Sequence, residues 1–206
     1  MQYGFYFDSD ACVGCKACAM ACKDKNDMPL GVKLRKVVDY ASGRWDVSGP
    51  VPKASKVFGY SISISCMHCG NPACVANCPT AAMTKDPDTG IVTTDHGRCI
   101  GCGSCRIACP YDAPRIHPEK RYAVKCDFCR DSLASGGNPA CVDACIMRCL
   151  KYGDIDELRA EHGDSSDIVP LASSSLTRPS FVVAESRLIK DGIEEGCVTN
   201  AAEELR

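Results

Sequence analysis

The cysteines constrain the fold of this chain more than any other feature, because most of them stand in four tightly spaced runs. The four runs are Cys12, Cys15, Cys18 and Cys22; Cys66, Cys69, Cys74 and Cys78; Cys99, Cys102, Cys105 and Cys109; and Cys126, Cys129, Cys141 and Cys145. Together they take sixteen of the eighteen cysteines in the chain. Three closely spaced cysteines place three thiolates on one iron-sulfur cube, and the fourth serves a neighbouring cube. The sequence therefore predicts two pairs of [4Fe-4S] clusters, each pair sharing its fourth ligands crosswise.

The spacing within the runs is that of bacterial ferredoxins or a variant of it. The first and third runs read CxxCxxCxxxC, whereas the second run has four residues in its middle gap and the fourth run has eleven. Proline follows the second and third runs, at Pro79 and Pro110. Only 20 residues separate Cys78 from Cys99, so runs two and three form the natural pair and runs one and four pair by elimination.

Two other uses of cysteine compete with this interpretation. Disulfide scaffolds are short secreted chains, and adjacent cysteines of one run cannot all reach separate distant partners. Zinc is a rival at the fourth run alone, because two close pairs separated by a loop resemble a zinc ribbon. The extra closely spaced cysteine of the other three runs is not explained by a four-ligand zinc site.

Alternation and turn residues predict several further elements. Tyr3, Phe5 and Phe7 indicate a short strand that leads into Asp8. The insertion at 28–65 has strand character, with a turn expected at 41–44 and a half-buried strand at 58–65. A hairpin is expected at 81–95, with its turn at 86–90.

After the last run, residues 154–162 predict a short helix with Asp154 as N-cap and Gly163 as its stop. Residues 180–183 predict a strand. The tail beyond Glu185 lacks periodicity, which is typical of a mobile segment, with contact to a partner as the weaker expectation.

Composition and charge narrow the class of protein. Aromatic residues make up only 6% of the chain, so clusters must replace part of the apolar core, and we expect the metal-free chain to be largely unfolded. The formal charge is −2, and four loaded sites bring the total to about −10. A nucleic-acid partner is not expected, because such binding needs a basic face.

No apolar stretch is long enough for a membrane span, and the acidic start lacks the basic region of a signal peptide. We therefore expect a soluble chain. Several basic side chains near the runs are candidates to offset cluster charge, with ordinary solvated surface as the plainer interpretation. These are Lys16, Lys23, Arg98, Arg106, Lys125 and Arg130. His68 lies between two candidate ligands and is a candidate for tuning a cluster by hydrogen bonding, although a surface role is the more common one.

The runs and their flanking residues resemble those of a known family, the iron-sulfur B subunits of dimethyl sulfoxide reductase and related molybdopterin oxidoreductases. The segments that carry the resemblance are YGF at the start, CVGCKAC, ACKD, ISCMHC, NPAC, CIGC, ACPY and GDIDELR. They extend over almost the whole chain.

The resemblance implies an α+β fold of two ferredoxin-like double-cluster modules, with Cys78 and Cys109 exchanged between runs two and three, and Cys22 and Cys145 between runs one and four. The implied ligands form four sets. Set one is Cys12, Cys15, Cys18 and Cys145; set two is Cys66, Cys69, Cys74 and Cys109; set three is Cys99, Cys102, Cys105 and Cys78; set four is Cys126, Cys129, Cys141 and Cys22. The implied modules are 1–27 with 110–153, and 66–109; the insertion at 28–65 and an extension at 154–206 complete the chain.

Two positions refine this comparison. Relatives of the nitrate reductase type have tryptophan at the place of Cys102 and hold a three-iron cluster there, so Cys102 implies four [4Fe-4S] clusters. The family commonly has proline after the fourth run, whereas this chain has Ile146 and an additional Cys149. That leaves the ligand choice open among Cys141, Cys145 and Cys149; spacing favours Cys145, with Cys149 and Cys197 as spare thiols.

The implied function is electron transfer without a catalytic site in this chain, since no nucleophile, phosphate or dinucleotide motif is present. The resemblance implies two partners, a molybdopterin catalytic subunit and a membrane anchor that oxidises quinol. It also implies association with the membrane through them, on the cytoplasmic face or after export with the catalytic subunit. The alternative is a free polyferredoxin, although the insertion and extension favour a docked subunit. A redox sensor would need an output domain.

Overall fold

The computed structural model describes residues 1–184 and 196–204, which form an α+β fold built on two small sheets. In the first sheet β1 (Tyr3–Asp8) lies between β8 (Leu150–Asp154), to which it is antiparallel, and β9 (Phe181–Ala184), to which it is parallel. Phe5 and Phe7 of β1 are buried in the main core. The strand predicted from Tyr3, Phe5 and Phe7 and the strand predicted at 180–183 are therefore both confirmed.

The second sheet is a long hairpin with a short third strand. β2 (Arg35–Asp46) pairs antiparallel with β3 (Lys53–Ser65), and β10 (Cys197–Val198) pairs with β2 on its other side. The turn expected at 41–44 is wrong, since these residues belong to β2. Gly43 lies where the pairing register shifts, so it marks a β-bulge, and the chain reverses at 47–52 instead.

The strand predicted at 58–65 is confirmed, but its half-buried character holds only at its outer part. From Ile62 to Ser65 both faces are buried, including the hydroxyl-bearing Ser63 and Ser65. These two serines are opposite the start of β2, where the buried Arg35 donates hydrogen bonds to both hydroxyls. A buried polar partner on the facing strand thus replaces the expected contact with water.

Two short hairpins complete the strands: β4 (Met83–Lys85) with β5 (Val92–Thr94), and β6 (Arg115–Ile116) with β7 (Ala123–Val124). The predicted hairpin at 81–95 is confirmed. Its turn is held by the Asp86 carboxylate, which accepts hydrogen bonds from the backbone N–H groups of Asp88 and Thr89.

The helices within or next to the cysteine runs are short. They are α1 (Ala17–Lys25), α2 (Ala73–Ala76), α3 (Ser104–Ala108), α4 (Arg130–Ala134) and α5 (Ala140–Asp143). α1 packs against α5, and α2 packs against α3. The runs predicted to pair therefore also meet through their helices. No helix in the described ranges is long and apolar enough to cross a membrane.

The C-terminal part folds back onto the chain. The predicted helix is confirmed as α6 (Ile155–His162), capped by the Asp154 carboxylate, which accepts from the Asp156 N–H at 2.9 Å. A 3₁₀ turn (Ser174–Leu176) precedes β9. Residues 196–204 differ from the aperiodic, mobile tail expected from the sequence, because they form β10 and α7 (Ala201–Glu204) and pack on β2. Residues 185–195 and 205–206 lie outside the described part.

The contacts of this tail show why it docks. The buried Glu204 carboxylate accepts from Lys33 at 2.9 Å, and the Asn200 amide donates to the Val37 carbonyl at 2.9 Å. A side-chain amide and a carboxylate thus hold an aperiodic segment that hydrophobic patterning alone cannot place.

Candidate iron-sulfur sites

The cysteine loops owe their tight curvature to residues in the left-handed backbone region. Gly14, Gly101 and Gly103 have φ values of 65°, 68° and 79°, and Lys16 at the start of α1 has φ 62°. Gly101 also lies so close to the Arg121 carbonyl that an added Cβ would be 2.0 Å from its oxygen. Glycine is needed there for both reasons, and the loop brings neighbouring thiols to one side.

Cysteines from two different runs line one cavity beneath the first turn of α2. Counted together with its opening to solvent, it contains about 370 Å³ of space free of atoms, and its walls include Val92, Tyr111 and Thr177. Its four cysteines are Cys66, Cys69, Cys74 and Cys109. These are the residues of set two.

A second cavity, with about 310 Å³ of space free of atoms when its opening to solvent is counted, lies beside α3. Its four cysteines are Cys78, Cys99, Cys102 and Cys105. These are the residues of set three. Cys102 is exposed and accepts or donates a hydrogen bond with the Ser104 hydroxyl at 3.3 Å, whereas Cys105 is buried.

A third cavity, with about 340 Å³ of space free of atoms when its opening to solvent is counted, is lined by five cysteines rather than four. They are Cys12, Cys15, Cys18, Cys145 and Cys149. The first four form set one. Cys149 is buried in the same wall, so the structure does not place it as an isolated spare thiol; Cys197, by contrast, is exposed on β10.

Set four is gathered between α1, α4 and α5. Cys22 does not line the cavity of its own run; it lies within electrostatic range of Cys141 and Cys129 instead. Cys126 is likewise within range of Cys22 and Cys141. The fourth run and the last cysteine of the first run thus share one interior region.

Burial raises the pKa of the thiols that lie deepest in the protein. It raises the pKa of Cys22 and of Cys74 to about 12, and the pKa of Cys69 to about 11. Burial also raises the pKa of Cys126 well above its ordinary value. Without a cation these thiols hold their protons at neutral pH, so iron must displace protons when it binds.

His68 is not a surface residue, which corrects the expectation from the sequence. Its ring is 1% exposed, and Nδ1 accepts a hydrogen bond from the Val92 N–H at 2.9 Å. An accepting Nδ1 leaves the proton on Nε2, which has no hydrogen-bond partner in the described structure. The ring lies edge-on to Phe128 at 5.2 Å, between the second and fourth runs.

Two basic side chains are buried rather than solvated. Lys125, a candidate to offset cluster charge with solvated surface as the plainer interpretation, is buried and donates to the Cys126 carbonyl at 2.9 Å. Arg35 was not singled out, yet its guanidinium is buried beside set four, and its Nε has no hydrogen-bond partner among the described residues. The burial of Arg35 is visible only in the contacts made by β2, because a single arginine in an otherwise apolar and basic segment does not form a sequence motif.

The residues present fit [4Fe-4S] clusters. Three cavities of similar size are each lined by cysteines from two runs. The buried N–H groups of Arg35 and His68, which have no hydrogen-bond partner among the described residues, lie beside the interior cysteines. Thiolates are the ligands that such clusters use. In the described ranges, no group of three His, Cys, Asp or Glu side chains is arranged to hold a single metal ion.

Comparisons with known proteins agree with this chemistry. The family model described as a 4Fe-4S dicluster domain matches residues 57–155, and one described as a 4Fe-4S binding domain matches residues 5–24. The B subunit of anaerobic dimethyl sulfoxide reductase from Haemophilus influenzae is 43% identical over 203 residues, covering 98% of each protein. The chain belongs to the family of dimethyl sulfoxide reductase B subunits.

Other dimethyl sulfoxide reductase B subunits and their relatives are also similar. The B subunit of the anaerobic enzyme from Escherichia coli is 46% identical over 182 residues, which is 88% of each protein. The thiosulfate reductase electron transfer subunit of Salmonella typhi is 39% identical over 76% of this chain and 78% of its own length. The resemblance inferred from the cysteine runs is thereby confirmed, and the chain carries iron-sulfur domains of the [4Fe-4S] type.

Proposed function

We propose that this chain is a non-catalytic electron-transfer subunit that relays single electrons through four [4Fe-4S] clusters. Its partners are a quinol-linked membrane subunit and a molybdopterin catalytic subunit of a dimethyl sulfoxide reductase-like oxidoreductase. The observation that carries the proposal is the grouping of cysteines from different runs around three cavities of similar size.

The proposed ligands are the four sets defined above, with Cys22, Cys78, Cys109 and Cys145 exchanged crosswise. When bound, each cluster accepts and releases one electron without forming a bond to substrate. The chain itself supplies the thiolates, the tight loops that aim them and the buried donors beside them.

Exposure suggests which sites meet the partners. Cys15 of set one and Cys102 of set three are exposed, whereas all four cysteines of set four are buried. Cys126 of set four is close enough to Cys66 of set two for their charges to interact, so the two sets are neighbours. We propose the order one, four, two and three, with the outer sites facing the two partners.

The module boundaries are part of the same proposal. Residues 1–27 with 110–153 form the module of runs one and four, and 66–109 form that of runs two and three. The insertion at 28–65 and the extension at 154–206 then meet each other through the pairing of β2 with β10. This pairing holds the insertion and the extension together, which suits a subunit that docks in a fixed orientation. Association with the membrane follows from the partners.

Anaerobic purification of the tagged chain from its own cells tests the proposal. We expect a molybdenum-containing large subunit and a membrane subunit to be recovered with it. Iron and sulfide analysis with spin-resonance titration is expected to give about sixteen irons and no three-iron signal. Recovery of the loaded chain alone would favour a free polyferredoxin instead.

A further inference from the structure

Arg35 is a buried cation whose hydrogen-bond partners in the described chain are all uncharged. Its side chain is 2% exposed. Nη1 donates to the Ser63 hydroxyl at 3.1 Å and Nη2 donates to the Ser65 hydroxyl at 2.9 Å, while Nε has no partner. The guanidinium also lies over the Phe5 ring, 4.7 Å from its centroid. Burying a charge without a counter-charge costs several kcal/mol per ion by order of magnitude, so these neutral contacts do not account for its position.

The missing counter-charge lies among the predicted ligands. Burial is the largest influence on the pKa of Arg35 and lowers it, but the negative charges of Cys141, Cys18 and Cys126 outweigh burial and hold that pKa above its usual value. These cysteines carry that charge as thiolates, the form in which they would hold iron. The position of the guanidinium therefore suits a negatively charged cluster at set four and at set one.

Ser63 connects Arg35 to a predicted ligand through two contacts. The Ser63 hydroxyl accepts from Arg35 and lies 3.2 Å from the sulfur of Cys18. A hydroxyl has one proton to donate, and a ligating thiolate has none. When Cys18 is a thiolate, Ser63 must donate to it, and the charge on Arg35 strengthens that hydrogen bond.

We propose that Arg35 is a positioning residue that supplies the positive counter-charge to the clusters of sets one and four and raises their reduction potentials, with Ser63 passing a hydrogen bond from Arg35 to Cys18. Reduction adds one electron and one negative charge to a site, with no bond made or broken. A nearby buried cation stabilises the reduced form more than the oxidised form. The inference rests on the proposed function, since it assumes clusters at these two sets.

Redox titration of the assembled holo-complex, with dithionite as reductant and spin-resonance detection, tests the proposal. Arg35→Gln is expected to make reduction at sets one and four at least tenfold less favourable, which for one electron is a fall of about 59 mV in midpoint potential. Arg35→Lys retains the charge and is expected to restore at least half of that fall. Ser63→Ala is expected to lower the potential at set one alone, by less than Arg35→Gln does.

Arg44→Gln is the matched control, because it removes a positive charge from the same strand at an exposed position. It is expected to leave all four potentials unchanged. Signals are assigned to sets one and four beforehand with Cys15→Ser and Cys129→Ser. Iron analysis of each variant precedes its titration.

The outcomes separate the two proposals. If the wild-type chain lacks these clusters, the proposed function fails. If the wild type has them and fully loaded Arg35→Gln keeps the wild-type potentials, only the role of Arg35 is overturned. Where Arg35→Gln does not assemble, the other variants decide: a fall of tenfold or more in Arg35→Lys at both sets, or an unchanged set-one potential in Ser63→Ala, contradicts the proposal.

Discussion

The sulfur of Cys149 lies 3.5 Å from the sulfur of Cys145, and both line the cavity of set one. The turn between them is closed by a hydrogen bond from the Arg148 N–H to the Cys145 carbonyl, and β8 begins immediately after it. Cys12, another member of the set, lines the same cavity. The chain thus holds two thiols within reach of one corner of the proposed cluster.

Cys145→Ala is expected to keep a four-iron cluster at set one, because Cys149 can occupy the vacated corner. The double variant Cys145→Ala with Cys149→Ala is expected to lose that cluster or convert it to a three-iron form. Iron content and spin-resonance spectra of the anaerobically purified protein measure this. Cys149→Ala alone is the control and retains full iron; loss of the set-one cluster in that variant would make Cys149, not Cys145, the ligand.

Cys22→Ser is expected to impair the cluster of set four and spare that of set one, although Cys22 belongs to the first run. The reason is its position: it is absent from the cavity of set one and interacts with Cys141 and Cys129. Cys18→Ser is the matched control on the same helix, one turn earlier, and is expected to impair set one. Spin-resonance signals assigned to each set measure the effect of both variants. Loss of the set-one signal in Cys22→Ser, with the set-four signal retained, would contradict crosswise ligation.

The cysteine positions and most strands were predictable because their signals are local. A run such as Cys12 to Cys22 fixes its own spacing, and the alternation of Tyr3, Phe5 and Phe7 fixes a strand face. The bulge at Gly43 was taken for a turn, because glycine marks both and only the pairing with β3 distinguishes them. The docking of Glu204 depends on Lys33, which is remote in sequence.

Buried polar residues were the least predictable part of the site. His68 and Arg35 belong to residue types that are usually exposed, so composition places them at the surface. Their burial depends on neighbours that only the fold supplies: the Val92 N–H for His68, and Ser63 and Ser65 for Arg35. Long-range hydrogen bonding therefore decided their positions.

His68→Leu is expected to lower the reduction potential at one of the two interior sets, two or four, by about 20 to 60 mV. The buried Nε2–H has no partner in the described structure, and a hydrogen bond from it to a cluster sulfur would stabilise the reduced form. Leucine fills similar space without that donor. Redox titration of the holo-protein measures the shift.

His96→Leu provides the comparison for His68→Leu, because His96 is exposed and stacks on Tyr122 at 3.9 Å. It is expected to leave the interior potentials unchanged. Equal potentials in His68→Leu and the wild type, at full iron content, would rule out the hydrogen bond.

Removal of iron is expected to unfold most of the chain. Cysteines make up a large part of the buried cluster that includes Phe5, Phe7 and Phe128, and Arg35 loses its counter-charge when the thiolates become protonated. Circular dichroism of anaerobically chelated protein measures the loss of secondary structure. A cooperative, native-like melting transition in the iron-free chain would contradict this prediction.

Iron loading is expected to become more favourable as the pH rises from about 7 to about 8.5, because bound protons compete with iron. Burial raises the pKa of Cys22 and Cys74 to about 12, from an ordinary value of 9.0. Both the raised and the ordinary value lie above this range, so Cys22 and Cys74 each release a proton when they bind iron, whether the iron-free chain is folded or not. Each displaced proton contributes up to about tenfold per pH unit.

Anaerobic titration of iron-free chain with ferrous iron and sulfide, at both ends of that pH range, measures the loading equilibrium, and a pH electrode measures the released protons. The same raised pKa values make any residual iron-free fold less stable as the pH rises. Their contribution to its stability is complete below the unfolded pKa of about 9 and is lost as the pH rises towards about 12. Loading that weakens or stays constant with rising pH would show that proton release from these thiols does not control assembly.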